Sequence, residues 1–272
     1  MQQLFDIIHE DSELLVINKP AGLVCHPTKG DEYSSLISRV RLYLGPNARA
    51  HLVNRLDRET SGVTLVAKTD EAARELRRLM EGRAIEKDYI AIVHGHVQDD
   101  YGMVDAPIGK DEQSRVAVKD CVRLDGAPSQ TEFWVEKRFT KFVPAVVGTS
   151  SKFSLAATAS NQTHVCVSED LTEQPFTLLR LKPLTGRKHQ IRIHLAHLGH
   201  PIVGDKIYGG DEEIYLAFVE YRLTENQRAR LIVENHALHA SSLRFQWKDN
   251  GMTFRCVPER GFQLFCDSTF RD

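Results

Sequence analysis

Residues 52–67 read LVNRLDRETSGVTLVA, a polar stretch from Asn54 to Ser61 between apolar Leu52-Val53 and the run Val63 to Ala67. The downstream run is β-branched and reads as a strand. Ser61-Gly62 turns the chain into it, so the polar residues form a loop on a rigid base, a common place for reactive groups. Asp57 lies between Arg55 and Arg58, and a neighbouring guanidinium favours the ionised carboxylate. An aspartate ionised at neutral pH can act as nucleophile or base. The same residues also describe a surface loop carrying an Arg–Asp pair, and this stretch alone leaves both readings open.

Upstream, Leu14 to Ile17 followed by Asn18-Lys19-Pro20-Ala21-Gly22 reads as a strand ending in a Pro-Gly turn. Apolar residues at Leu36, Ile37, Val40 and Leu44 predict a helix stopped by Gly45-Pro46. Downstream, Ala72, Ala73, Leu76, Leu79 and Met80 share one face of a helix over 69–80, with Gly82 as its C-cap. Residues 88–93 and 176–181 read as strands; 189–198, 212–218 and 225–234 read as helices. The segments SSLRFQW and MTFRCV flank Asp249-Asn250-Gly251, a hairpin signal. Residues 140–175 are rich in Ser, Thr and Ala around their centre and lack either period, which predicts a loop or hairpin excursion. Strands and helices mix without βαβ alternation. The expected fold is α+β, a mixed, largely antiparallel central sheet with flanking helices and loops, in one domain over 1–272.

A second polar cluster runs from Leu184 to His194. Arg180, Lys182, Arg187, Lys188 and Arg192 fall between 180 and 194 with no acid among them. On a helix from His189, Arg192 points inward while Arg187 and Lys188 stay near its start, where backbone N–H groups can hold phosphate. An inward arginine needs an acidic partner, and Asp57 is the candidate. A solvated basic helix end would carry the same composition. His189, His194, His197 and His200 lack the His-Glu-x-x-His spacing, so no metal site is expected.

The 272 residues are 42% hydrophobic and 26% charged, enough to bury a sizeable core, and the formal net charge of −2 excludes a protein that coats nucleic acid indiscriminately. An RNA partner would need a local basic surface, with Arg77, Arg78 and Arg83 as further contributors. Cys25, Cys121, Cys166, Cys256 and Cys266 form no Cys-x-x-Cys pair, which suits a reducing cytoplasm. The first residues carry acids where a leader would need a basic head, and no stretch is apolar enough to span a bilayer. The expectation is a soluble cytoplasmic protein with no membrane association.

The segments NRLDRETSGVTLVAKT, EKDYIAIVHG, TGRKHQIRIHLAHLGHPIVGDKIYGG and ALHASSLRF, in this order, resemble the signature segments of the RluA family of pseudouridine synthases. The opening HEDSELLVINKPAGLVCHP resembles that family too, and the match runs from about His9 to Phe245. Asn54 stands where the family usually has His. The resemblance implies the pseudouridine synthase catalytic fold, with no S4-type domain before it. It implies isomerisation of uridines in an RNA stem-loop, ribosomal or transfer, without cofactor or obligate protein partner, by a monomer. It implies Asp57 as catalytic carboxylate, Arg192 as its pair, and Tyr89 stacked on the uracil and assisting proton transfer at C5. Arg55 would fill the stack vacated by the flipped uridine, and Arg58, Arg187, Lys188 and His189 would join it in binding RNA. A non-catalytic RNA-binding protein would be expected to have lost Asp57, Tyr89 or Arg192. A hydrolase with an Asp nucleophile would need a metal or a second carboxylate, and Glu59 is the only acid near Asp57 in sequence.

Overall fold

Among the described residues, alternating and β-branched segments build ten strands into one sheet. The structure is a computed structural model that describes residues 5–27, 34–45, 47–144 and 171–267. Its strands are β1 (Asp6–Glu10), β2 (Leu14–Lys19), β3 (His51–Leu52), β4 (Ser61–Ala67), β5 (Glu86–His94), β6 (Tyr101–Asp105), β7 (Ile108–Lys110), β8 (Asp120–Val122), β9 (Gln130–Pro144), β10 (Leu171–Pro183), β11 (Leu238–Trp247) and β12 (Asn250–Arg255). The large sheet runs β1-β2-β4-β11-β5-β10-β9-β6, with β12 on β11 and β3 on β4, while β7 and β8 form a separate ribbon. Among the described strands, every pairing is antiparallel except β4 with β11, which pair parallel at Ser61–His239 and Gly62–Ala240. The expected α+β architecture is the one observed.

Among the described residues, six helices flank the sheet: α1 (Leu36–Leu44), α2 (Asp70–Glu81), α3 (Gln190–His197), α4 (Glu212–Val219), α5 (Glu225–Leu231) and α6 (Arg260–Cys266). Helices α1 and α2 cover opposite faces of the β2–β4 half. Leu36, Ile37 and Val40 pack with Leu15 and Ile17, while Ala72, Ala73 and Leu76 pack with Leu14 and Val16. That is the period-2 alternation of β2 made physical. The β5–β10 half packs on Ile191 and Leu195 of α3 and on Phe265 of α6. Among the described residues, no helix is long and apolar enough to cross a membrane.

Of four local expectations, two need correction: the place of the β11–β12 turn and the end of α5. Of the expected loop or hairpin excursion over 140–175, residues 140–144 and 171–175 are the paired ends of β9 and β10, joined from Thr140–Pro175 to Pro144–Leu171; residues 145–170 lie outside the described set. The hairpin turn is Lys248-Asp249, because Trp247 already pairs with Asn250, and Lys248 takes φ 53°. Helix α5 stops at Leu231, where Ile232 takes φ 67°. Gly82 is the C-cap of α2, as expected, in a right-handed conformation, and Arg83 takes the left-handed one at φ 57°.

The two halves of the sheet meet at the β4–β11 seam, and Gly62 permits it. Its φ is +118°, and a Cβ there would lie 2.2 Å from the Ala240 carbonyl oxygen. Backbone cannot yield as a flexible side chain can, so no other residue fits. Gly62→Ala is therefore expected to cost at least about 3 kcal/mol, read as a lowered urea midpoint. A shift below about 0.5 kcal/mol would mean that the seam is not closely packed.

Candidate active site

The loop from Val53 to Thr60 occupies a gap on one edge of β4. Strand β3 covers Val66 and Ala67 of that edge, and β11 covers Ser61 and Gly62. Between them the Asn54 side chain takes over. Its amide nitrogen donates to the Val63 carbonyl at 3.1 Å, and its oxygen accepts from Leu65 N–H at 2.7 Å. Asn54 thus completes a ladder that no strand reaches and pins the loop at its base. From the other side, the fully buried Lys19 donates to the carbonyls of Pro20, Leu23 and Arg58. The loop bearing Asp57 is thus held on both sides, by the buried Asn54 amide and by the Lys19 ammonium.

Arg192 reaches this loop from α3. The turn before the helix is locked by buried Gln190, whose oxygen accepts from Arg187 N–H and the Thr185 hydroxyl. The Gln190 nitrogen donates to the Gln130 carbonyl and the Thr131 hydroxyl on β9. His189 caps the helix at φ 55°. Arg192 is buried and all three of its donor nitrogens are used. Nε and Nη2 grip Asp205 at 2.7 and 2.9 Å, and Nη1 donates to Asp57 Oδ2 at 2.8 Å. Asp57 is thus one of two acidic partners, and Asp205 is the bidentate one. Asp205 also accepts from the N–H groups of Ile207 and Tyr208. The fork to Asp205 fixes the guanidinium plane and leaves one nitrogen aimed at Asp57.

The charges follow from this geometry. Burial acts to raise the Asp57 pKa, but Arg192, His189 and His236 outweigh it and hold the carboxyl below its ordinary value. Burial drives the two imidazoles down to about 4 and about 3. Both are therefore neutral at pH 7, and the charge that acts on Asp57 there is Arg192. The Tyr208 ring lies under the Arg192 guanidinium at 5.1 Å, and its hydroxyl sits 2.9 Å from His189 Nδ1. Among the described residues Asp57 Oδ1 has no close partner: His189 Nε2 is 3.8 Å away. One oxygen of the carboxylate is held and the other is open.

Asp57, its side chain 30% exposed, lines a cleft of about 570 Å³ together with Tyr89, Arg55, Arg58 and residues 185–192. Burial and, after it, the Asp57 charge push the Tyr89 phenol well above its ordinary value. Arg55 and Arg187 are exposed at the cleft. Arg187 Nε donates to the Pro128 carbonyl, and Arg58 Nε to the Gly22 carbonyl. Lys188 lines the cleft too, but its ammonium is paired with Asp120 at 2.7 Å. Arg77, Arg78 and Arg83 are exposed but do not line the cleft. His189, His194 and His200 are spent on separate partners: Tyr208, the Thr131–Ala106 pair and the His94 carbonyl. Among the described residues no three His, Cys, Asp or Glu gather as metal ligands.

Residues 13–197 match the RNA pseudouridylate synthase family. The chain belongs to that family. It is 34% identical over 261 residues to ribosomal large subunit pseudouridine synthase C of Yersinia pestis, covering 95% of this chain and 66% of that one. It is 34% identical over 241 residues to the dual-specificity RNA pseudouridine synthase RluA of Vibrio parahaemolyticus, covering 88% and 77%. The solved human RNA pseudouridylate synthase domain containing 1 aligns with a TM-score of 0.65 at 25% identity, covering 95% of this chain and 86% of that one. The chain spans 56% of the length of one curated relative, from Aquifex aeolicus, and 66% of another, from Haemophilus ducreyi.

Within this pseudouridylate synthase fold the two carboxylates divide the work. Asp205 neutralises the buried Arg192, and its depressed pKa stabilises the fold above the ordinary carboxylate range. That stability is lost as pH falls through the folded value. Asp205→Asn should cost about 3–5 kcal/mol at pH 7, because it strips a buried guanidinium of its bidentate partner. Asp57→Asn should change stability by less than about 1 kcal/mol, since Arg192 keeps Asp205. Urea midpoints of the two variants check this, and equal losses would contradict the division.

Proposed function

We propose that the chain isomerises uridines to pseudouridines in structured RNA, with ribosomal RNA as substrate and Asp57 as the catalytic carboxylate, acting as a monomer in the cytoplasm. The reading rests on one observation: an ionised carboxylate with one oxygen fixed by a buried arginine and the other open to a cleft faced by Tyr89. Family membership supports the reaction, and relatives named for the large ribosomal subunit support the substrate over transfer RNA.

The reaction breaks the N1–C1′ bond, turns the uracil and joins C5 to C1′. C5 releases a proton and N1 gains one, so atoms and electrons balance without a redox partner or group donor. The open Asp57 oxygen either adds to the sugar or base, or removes a sugar proton to give a glycal. Both routes need the ionised carboxylate that Arg192 maintains. Tyr89, its phenol held protonated in the free protein, stacks on the uracil and assists proton transfer at C5. Arg55, exposed two residues before Asp57, occupies the stack that the uridine leaves, at a flipping cost of a few kcal/mol. Arg58, Arg187 and His189 line the path of the RNA, whereas Lys188 contributes less because Asp120 neutralises it.

Asp57→Asn is expected to lower tritium release from C5-labelled total RNA of a strain lacking the enzyme by at least about 10²-fold, with RNA binding retained. Turnover near the wild-type rate would remove Asp57 from the chemistry. Arg55→Ala should slow single-turnover conversion more on a stable stem-loop than on the same loop weakened by a neighbouring mismatch, because the mismatch removes part of the unstacking cost in advance. Equal slowing on both RNAs would make Arg55 an electrostatic partner of Asp57 instead.

A further inference from the structure

Every described lysine but one holds an oxygen. Lys68, Lys119, Lys182, Lys188, Lys206 and Lys248 pair with carboxylates, and the rest sit on backbone carbonyls. Lys87 holds none, although it is half-buried and lines the same cleft as Asp57. Side chains alternate along a strand, so Lys87 shares its face of β5 with Tyr89, about 7 Å away. It is the outer of the two: Glu86 before it is exposed, while Ile90 beyond Tyr89 is buried. In the register of the sheet Lys87 lies opposite Leu243, a buried core residue. An aliphatic stem on such a floor with an ammonium turned to the cleft is the usual posture of a long basic side chain.

The space in front of that ammonium is kept clear. Gly186 lies across from it, and a Cβ at 186 would come 3.6 Å from Lys87 Nζ. Gly186 has no left-handed φ that would demand glycine, so its lack of a side chain is open to another use. Burial alone lowers the Lys87 pKa, with no compensating carboxylate. A half-buried cation without an acceptor is costly to the free protein, which implies that its partner arrives with the substrate.

We infer that Lys87 is the receptor for the backbone phosphate of the nucleotide that enters the cleft, gripped between the ammonium and the open Gly186–Arg187 turn. The inference rests on the reading of the cleft as a uridine site. A nucleotide with its base on Tyr89 and its sugar toward Asp57 carries its phosphate outward, on the side where Lys87 stands. Lys188, by contrast, already has its anion, which leaves Lys87 as the lysine of the cleft with a charge to offer.

The test is single-turnover tritium release from C5-labelled total RNA of a strain lacking the enzyme, as a function of enzyme and salt concentration. The proteins are wild type, Lys87→Met, Lys87→Arg and Gly186→Ala. Lys87→Met is expected to raise the half-saturating concentration about tenfold and to reduce the log–log salt slope of binding by about 0.7, the share of one phosphate contact on a single strand. Lys87→Arg should restore most of both. Gly186→Ala, which changes no charge, should raise the half-saturating concentration by narrowing the approach. Lys87→Met should also melt no lower than wild type, since it removes an unpaired charge. An unchanged half-saturating concentration and slope in Lys87→Met would overturn the assignment. So would a fall in maximal rate alone, which would place the ammonium on the uracil. If wild type releases no tritium from this RNA, the reading of the cleft itself fails, and this inference fails with it.

Discussion

A single guanidinium shared between two carboxylates governs this structure. Arg192 is buried, and its charge is supportable only because Asp205 meets it with two parallel hydrogen bonds. That pairing does more than neutralise. It fixes the guanidinium plane, so the remaining nitrogen points at one oxygen of Asp57. Asp57 is thereby oriented by a group that is itself oriented, and its second oxygen is left without a close partner among the described residues. The arrangement spans three distant segments of the chain: the loop after β3, helix α3 and the turn after Gly204.

The sheet explains how those segments come together. Strand β4 has one edge served by three partners, β3, the Asn54 amide and β11. The loop bearing Asp57 emerges between the first and the last, where the two halves of the sheet join through Gly62. A glycine at the seam and an amide in the gap are local devices, but they set where the carboxylate stands relative to α3. Asn54 has a clear duty here, because its two hydrogen bonds satisfy β4 groups that no described strand covers.

Much of this was legible in the sequence because it is local. The Asn54–Gly62 loop, the α1 and α2 faces and the inward direction of Arg192 all follow from short-range pattern. The partner of Arg192 was only half legible: Asp205 lies 13 residues on from it, in a turn whose geometry depends on packing against residues 233–236. The same limit hid the bond between Lys188 and Asp120, which joins a cleft residue to the β7–β8 ribbon. It also hid the isolation of Lys87, since a missing partner is visible only when every neighbour is in place. Where residues 140–144 lacked an apolar period, pairing with β10 decided their state instead. At the β11–β12 hairpin, register overrode the Asn-Gly signal and moved the turn to Lys248-Asp249.

The central claim is that Arg192, held by Asp205, keeps Asp57 ionised with one oxygen free. The direct measurement is a titration of the Asp57 carboxyl carbon by ¹³C NMR, assigned by difference from the Asp57→Asn spectrum. A midpoint below the ordinary aspartate value of 3.8 is expected in the wild-type protein. A midpoint at or above that value would mean that burial outweighs Arg192, and would contradict the account.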